Sequence, residues 1–263
     1  MASLLFSTKR QFARYLASTI AKIRAPEDSG YRILCYHGIG ERVDGDLNNL
    51  YSLTRSEFEM QLQTILEAFH SRDNLKFTPL SSGRSDGTTI TFDDGYLSVL
   101  TEAAPLLASG SIPFHVFLSP ALATSGDPRF LNTKQIVELS RFPGSQFGTH
   151  GLHHRRLTDI AIKDAELELR QAREWLEDLI QADVNTMSYP FGAVNSQLLN
   201  AVGEAGYTIA ASSKWGFNFE ECEPLLMKRI DMWHLDTAVD VRTKIAGNWN
   251  WMSKTQPRWM RGD

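Results

Sequence analysis

Beyond Pro26 the hydrophobic positions follow two periods that alternate along the chain. Short runs rich in β-branched and aromatic residues read as strands: Tyr31–Tyr36, Thr88–Phe92, Phe114–Ser119, Ser145–Thr149, Val184–Tyr189, Tyr207–Ser213 and Lys228–Trp233. Helical patterns start near Arg55, Thr101, Thr133, Thr158 and Asn195. The clearest is Thr158–Ile180, where Ile162, Ala165, Leu169, Ala172, Leu176 and Leu179 repeat at steps of three and four. Thr158 is its expected N-cap, because a hydroxyl there can accept from an orphan backbone N–H. Strand–helix alternation implies parallel strands covered by helices. Seven such strands suit an α/β barrel better than an open sheet. Gly38–Gly45 and Ser81–Gly87, rich in Gly, Ser and Asp, read as loops.

Residues 1–26 differ from the rest, residues 27–263, which read as the barrel domain. The arm carries Lys9, Arg10, Arg14, Lys22 and Arg24 and no acidic residue, while Phe12, Leu16, Ile20 and Ile23 form one apolar stripe at helical spacing. Such a helix either docks on its own domain or lies on an anionic membrane surface as a peripheral contact. Its sequence leaves both open. The aromatic stretch Trp249-Asn250-Trp251…Trp259 is likewise a docked tail or a surface facing sugar or a partner.

Composition narrows the class. The chain has 263 residues, 42% hydrophobic, and 27 basic against 31 acidic side chains give a net charge of −4. Abundant apolar residues and low net charge argue against disorder. The mildly acidic balance argues against nucleic acid as a partner. No apolar run approaches the roughly 18 residues of a membrane span. Two cysteines, Cys35 and Cys222, are too few for a disulfide scaffold, and Cys35 reads as a buried filler. Met1–Phe6 lacks an early positive region and a long apolar stretch, so a cytoplasmic location is expected, at the inner face of the membrane if the arm binds lipid.

Chemistry-bearing residues gather at predicted strand ends. Thr88–Phe92 runs into Asp93-Asp94-Gly95-Tyr96, two adjacent carboxylates where α/β barrels build active sites. Asp-Asp-Gly is also ordinary loop chemistry. After the next such run come His150-Gly151-Leu152-His153-His154, three of the seven histidines within five residues. His150 and His154 could converge on one ion while His153 points elsewhere. Two imidazoles with one carboxylate would leave positions open for water and substrate. Ser188-Tyr189-Pro190-Phe191-Gly192 closes another strand with a sharp turn that could aim backbone N–H groups at an oxyanion.

Taken in order, Thr91–Tyr96, His150–Leu157 and Ser188–Gly192 resemble the first three motifs of the polysaccharide deacetylases, carbohydrate esterase family 4. The stretch Thr101–Pro113 is similar to the segment that follows the first motif, and the likeness covers roughly residues 30–235. The resemblance implies a distorted (β/α) barrel and metal-dependent removal of an N-acyl, usually N-acetyl, group from a sugar. Carried over, it makes Asp94, His150 and His154 the metal ligands, Asp93 the catalytic base and the backbone N–H of Phe191 the oxyanion donor.

Two positions depart from the family pattern. Ser188 stands where an arginine usually orients the catalytic aspartate; Arg229 is either its substitute or part of a structural ion pair. The late histidine motif is missing, and His234 matches it poorly. Ile33-Leu34-Cys35-Tyr36-His37 instead ends a strand in a histidine, which resembles the circularly permuted branch that includes biofilm poly-N-acetylglucosamine deacetylases. His37 is then the general acid. The expected cofactor is a divalent metal, zinc first, with Co, Ni or Fe able to serve such mixed donors. The expected substrate is an N-acetylated sugar or glycan precursor of envelope polysaccharide synthesis. The other readings are a related metal hydrolase of a non-sugar amide and an inactive glycan-binding barrel.

Overall fold

The computed structural model describes residues 2–256 except 24, 28, 47–48, 71–75 and 85, and without the side chains of residues 2–10. Arg24, Trp259 and the side chains of Lys9 and Arg10 lie outside the described residues. Seven parallel strands close into a barrel in sequential order: β1 (Arg32–Tyr36), β2 (Thr88–Phe92), β3 (Phe114–Leu118), β4 (Ser145–Thr149), β5 (Thr186–Ser188), β6 (Ile209–Trp215) and β7 (Met227–Asp231). Every residue of β1, β2, β3 and β5 is buried, which is why these runs are continuous rather than alternating. Thr89 and Thr91 tolerate that burial by hydrogen bonding to backbone carbonyls; the Thr91 hydroxyl donates to the Leu34 carbonyl at 2.9 Å.

Register sets the level of each strand end. Tyr36 pairs with Phe92, so His37 and Asp93 follow at one height. Cys35 pairs with Asp231 where β1 and β7 close the barrel. Thr149 pairs with Met187, which sets His150 beside Ser188.

Eight α-helices surround the barrel among the described residues: α1 (Ala2–Ile23), α2 (Arg55–His70), α3 (Ala104–Ser109), α4 (Pro120–Ala123), α5 (Thr133–Leu139), α6 (Ile162–Ile180), α7 (Ser196–Glu204) and α8 (Ala238–Ile245). Thr158 does not cap α6. It sits in a separate 3₁₀ turn, Leu157–Asp159, and extended Ile160 interrupts the chain before α6 begins after Ala161. The helix expected near Thr101 opens as a π-turn over Val99–Ala103. The sequence pattern missed α8, whose start carries a Thr237–Asp240 capping box.

The arm docks with only part of the expected stripe, Leu16 and Ile20 being half-buried. Ala13 and Ala17 are buried against the body and Arg14 pairs with Asp240 at 2.8 Å, whereas Phe12 and Ile23 are exposed. Small alanines let α1 lie close to α8; the bulky positions would hold it away. The tail also docks: Trp249 is fully buried with Trp215 and Trp233 around the buried ammonium of Lys244. No described helix is long and apolar enough to cross a membrane.

Candidate active site

Parallel strands all deliver their carboxyl ends to one rim, and the polar residues singled out above meet there. His37 follows β1, Asp93 and Asp94 follow β2, His150 follows β4, Phe191 follows β5 by three residues, and Arg229 lies within β7. They line a cavity of about 250 Å³. Three of the six described non-glycine residues with positive φ are here: Asp94 (+69°), His154 (+49°) and Phe191 (+58°). Such conformations cost energy and persist where the surroundings enforce them. Gly95 follows at φ +75°, and a Cβ there would come within 2.4 Å of the Leu118 side chain.

One group is a carboxylate between two imidazoles. The Oδ1 of Asp94 lies 3.4 Å from Nε2 of His150 and 3.0 Å from Nε2 of His154. This oxygen is buried, yet makes no hydrogen bond of acceptable geometry. Nδ1–H of His150 donates to the Ser188 carbonyl at 2.9 Å, which leaves Nε2 as the lone-pair nitrogen facing Asp94. Burial pushes His150 down, but Asp93 and Asp94 outweigh it and raise it above its ordinary value. Three donors aimed at one point without hydrogen bonding one another fit a divalent cation. His153 turns away to Glu168, 3.2 Å distant.

The other group surrounds Asp93. Arg229 donates Nη1–H to Oδ1 and Nη2–H to Oδ2, each at 2.8 Å, and its Nε–H is fixed by the Ser212 carbonyl at 2.8 Å. The Ser188 hydroxyl adds a bond to Oδ2 at 3.1 Å. Burial pushes Asp93 up, yet Arg229 and His150 together hold it at about 2. Arg229 thus comes from β7 to the position next to Asp93, and Ser188 bonds the same carboxylate rather than leaving a gap.

Several residues went unnoticed in the sequence. Half-buried Asp231 accepts from the Tyr51 hydroxyl at 3.1 Å, and the Tyr51 ring lies 4.4 Å from that of His37. Asp231 is two residues after Arg229 on one strand, hence on the same face, a period-two signal that was available. Tyr51 sits in an irregular segment and gives no such signal. Cys35 is buried, as expected, and it also lines the cavity. His234 does not line it; its side chain lies 3.7 Å from Glu57.

A closed parallel barrel with a metal-competent centre and a separate ion-paired carboxylate on its carboxyl rim defines a hydrolytic α/β barrel. Residues 82–210 match the family model described as polysaccharide deacetylase, which supports the resemblance of the motifs to that family of carbohydrate deacetylases. YxkH of Bacillus subtilis (strain 168), assigned to the same family by name, is 22% identical over 203 residues, 75% of this chain and 70% of that protein. The Streptococcus pyogenes deacetylase PplD in complex with acetate superposes with a TM-score of 0.68 at 19% identity, over 84% of this chain and 99% of its own. IcaB from Ammonifex degensii gives 0.67 at 18% identity, over 85% and 99%. At these identities the solved structures speak for the fold.

Proposed function

We propose that the protein is a metal-dependent N-deacetylase of an amino sugar, acting on a glycan precursor of envelope polysaccharide synthesis, and that it belongs to the permuted branch with His37 as general acid. The observation that carries this reading is the division of labour between adjacent carboxylates. Asp93 is claimed by Arg229, while Oδ1 of Asp94 faces two imidazoles. One is held ionised to take a proton and the other is left to hold a cation.

Asp94, His150 and His154 would hold the ion, and zinc there would polarise the acetyl carbonyl and acidify water, with Co, Ni or Fe as substitutes. A carboxylate at about 2 is a weak base, so Asp93 can accept a proton only from water acidified in this way. Arg229 and Ser188 keep its accepting oxygens oriented throughout. The Phe191 peptide, turned at φ +58° at the cavity mouth, supplies the N–H for the oxyanion. His37 protonates the leaving nitrogen, with Tyr51 packed on its ring to fix it. The Phe191 ring is 43% exposed with the Arg156 guanidinium 5.5 Å from its centroid, a surface suited to a sugar face. A cavity below the roughly 300–1,000 Å³ of drug-sized sites favours one N-acetylated ring at a time.

The test is metal content together with acetate release from a panel of N-acetylated sugar nucleotides, lipid-linked sugars and oligomers. Wild type should hold near-stoichiometric metal and release acetate, and His150→Ala should lose most of both. Unchanged metal in a folded His150→Ala would overturn the ligand assignment. Acetate released from simple amides but from no sugar would favour the non-sugar hydrolase.

A further inference from the structure

The proposed hydrolysis gives Cys35 of the cavity no task. Cys35 and His37 are two apart at the end of β1 and so share a face. Donor atoms of Cys35, His37 and Asp93 all lie within 4.8 Å of one another. Sγ of Cys35 is 3.9 Å from Oδ2 of Asp93. Sulfur and oxygen ligands of one tetrahedral ion, at about 2.3 and 2.1 Å from it, stand about 3.6 Å apart. Nδ1 of His37 is buried with no hydrogen-bond partner among the described residues, so a ring nitrogen is available without breaking a bond.

We propose that Cys35, His37 and Asp93 form a second, inhibitory cation site that takes a soft divalent ion such as cadmium or excess zinc. The inhibitory part rests on the acid and base roles given above; the binding part does not. Sulfur with imidazole and one carboxylate selects soft and borderline ions over magnesium or calcium. Burial pushes the Cys35 thiol well up, so it carries its proton in the free protein. Coordination replaces that proton, which leaves to solvent, one per ion bound. Arg229 already bonds both Asp93 oxygens, and Asp94 with its histidines lies next door, so the second ion loads later and more weakly than the first. Once there it takes the proton-accepting carboxylate and the acid imidazole together.

The experiment titrates cadmium chloride into protein loaded with one equivalent of zinc. It follows the ultraviolet thiolate-to-cadmium charge-transfer band, bound metal by equilibrium dialysis, and acetate release. Wild type and Cys222→Ser should develop a band that saturates at one thiolate per chain, with inhibition over the same concentrations. Cys35→Ser, with Cys35→Ala as a second truncation against misfolding, should show no band. Both variants should bind the second equivalent at least about tenfold more weakly, and their inhibition should shift alike. A band that survives in Cys35→Ser, or is lost in Cys222→Ser, overturns the site. A Cys35-dependent band without inhibition overturns the inhibitory role and the Asp93–His37 reading with it, while leaving the binding site in place.

Discussion

The barrel holds a polar chamber at each end of its strands, and each contains a histidine only 3% exposed. At the carboxyl end His150 stands among Asp93 and Asp94, which raise it although burial alone would lower it. At the amino end His115 opens β3 beside a chamber of about 580 Å³ lined also by Gln146, Asn185 and Thr186. There burial meets little opposition, and His115 is pushed down to about 3. Equal burial thus gives opposite shifts, decided by which charges the strand ends supply. The amino-end chamber is the larger, yet the convergent carboxylates, imidazoles and guanidinium line the smaller one.

If that contrast is right, substitutions at the carboxyl end should strike turnover. The largest effect is expected from Asp93→Asn, which keeps shape and removes the proton acceptor. Acetate release should fall by about 10²–10⁴ while metal content stays unchanged. The change also leaves Arg229 buried without its anion, a loss of about 3–5 kcal/mol in stability, so a melting curve must accompany the assay. A folded, metal-loaded Asp93→Asn with near-normal activity would remove Asp93 from the base role.

His37 provides the next and more selective effect. An amide needs its nitrogen protonated as it departs, and an activated ester does not. His37→Ala should lose most N-deacetylation yet keep its metal and part of its activity on an acetyl ester with a good leaving group. His234→Ala, half-buried against Glu57 and away from the cavity, should change neither. The opposite pattern, amide-selective loss in His234→Ala alone, would return the acid to the late position and overturn the permutation.

The carboxyl rim was the more legible end, for a physical reason. Parallel strands that are buried on both faces read as continuous apolar or β-branched runs rather than alternating ones, so β1 and β2 stand out and their ends locate His37, Asp93 and Asp94. Residues brought in by tertiary closure leave no local trace: Tyr51 reaches His37 from an irregular segment, and Lys244 donates to the Asp231 carbonyl across the barrel seam at 2.7 Å. Periodicity was a partial guide at α1, where Phe12 and Ile23 of the stripe are exposed, Leu16 and Ile20 are half-buried, and two alanines are the buried positions. Thr158 offered cap chemistry, but the loop geometry set by Ile160 started α6 elsewhere. His115 drew no notice because a lone histidine in an apolar run has no partner within sequence reach; its partner Thr186 lies on β5.

The smallest effect on activity, and the sharpest test of the contrast, belongs to His115. Its Nε2 meets the Thr186 hydroxyl at 2.8 Å and its ring packs on Phe117 at 4.6 Å. His115→Leu keeps most of the packing and removes that one hydrogen bond, so at pH 7.5 it should cost about 1 kcal/mol. Thr186 keeps a bond to the Phe147 carbonyl at 3.3 Å, which limits the loss. Deacetylase activity should change little, because His115 reaches the carboxyl end only through its charge interaction with Asp93, the weakest of the influences on its ring. The sign with pH is opposite to that of a charge-paired histidine. In the folded chain His115 stays neutral down to about 3, while in the unfolded chain it takes a proton near its ordinary 6.5. Unfolding therefore binds a proton throughout that window, and the neutral side chain's contribution is complete above pH 6.5 and is lost as pH falls towards 3. By pH 5 the wild type should have lost about 2 kcal/mol through this residue, whereas His115→Leu loses none. Denaturant unfolding at pH 7.5 and pH 5 should accordingly find the variant less stable at the first and level or more stable at the second. A variant whose deficit is the same at both values, or grows on acidification, would show that His115 is charged in the fold and that the two ends do not differ as described.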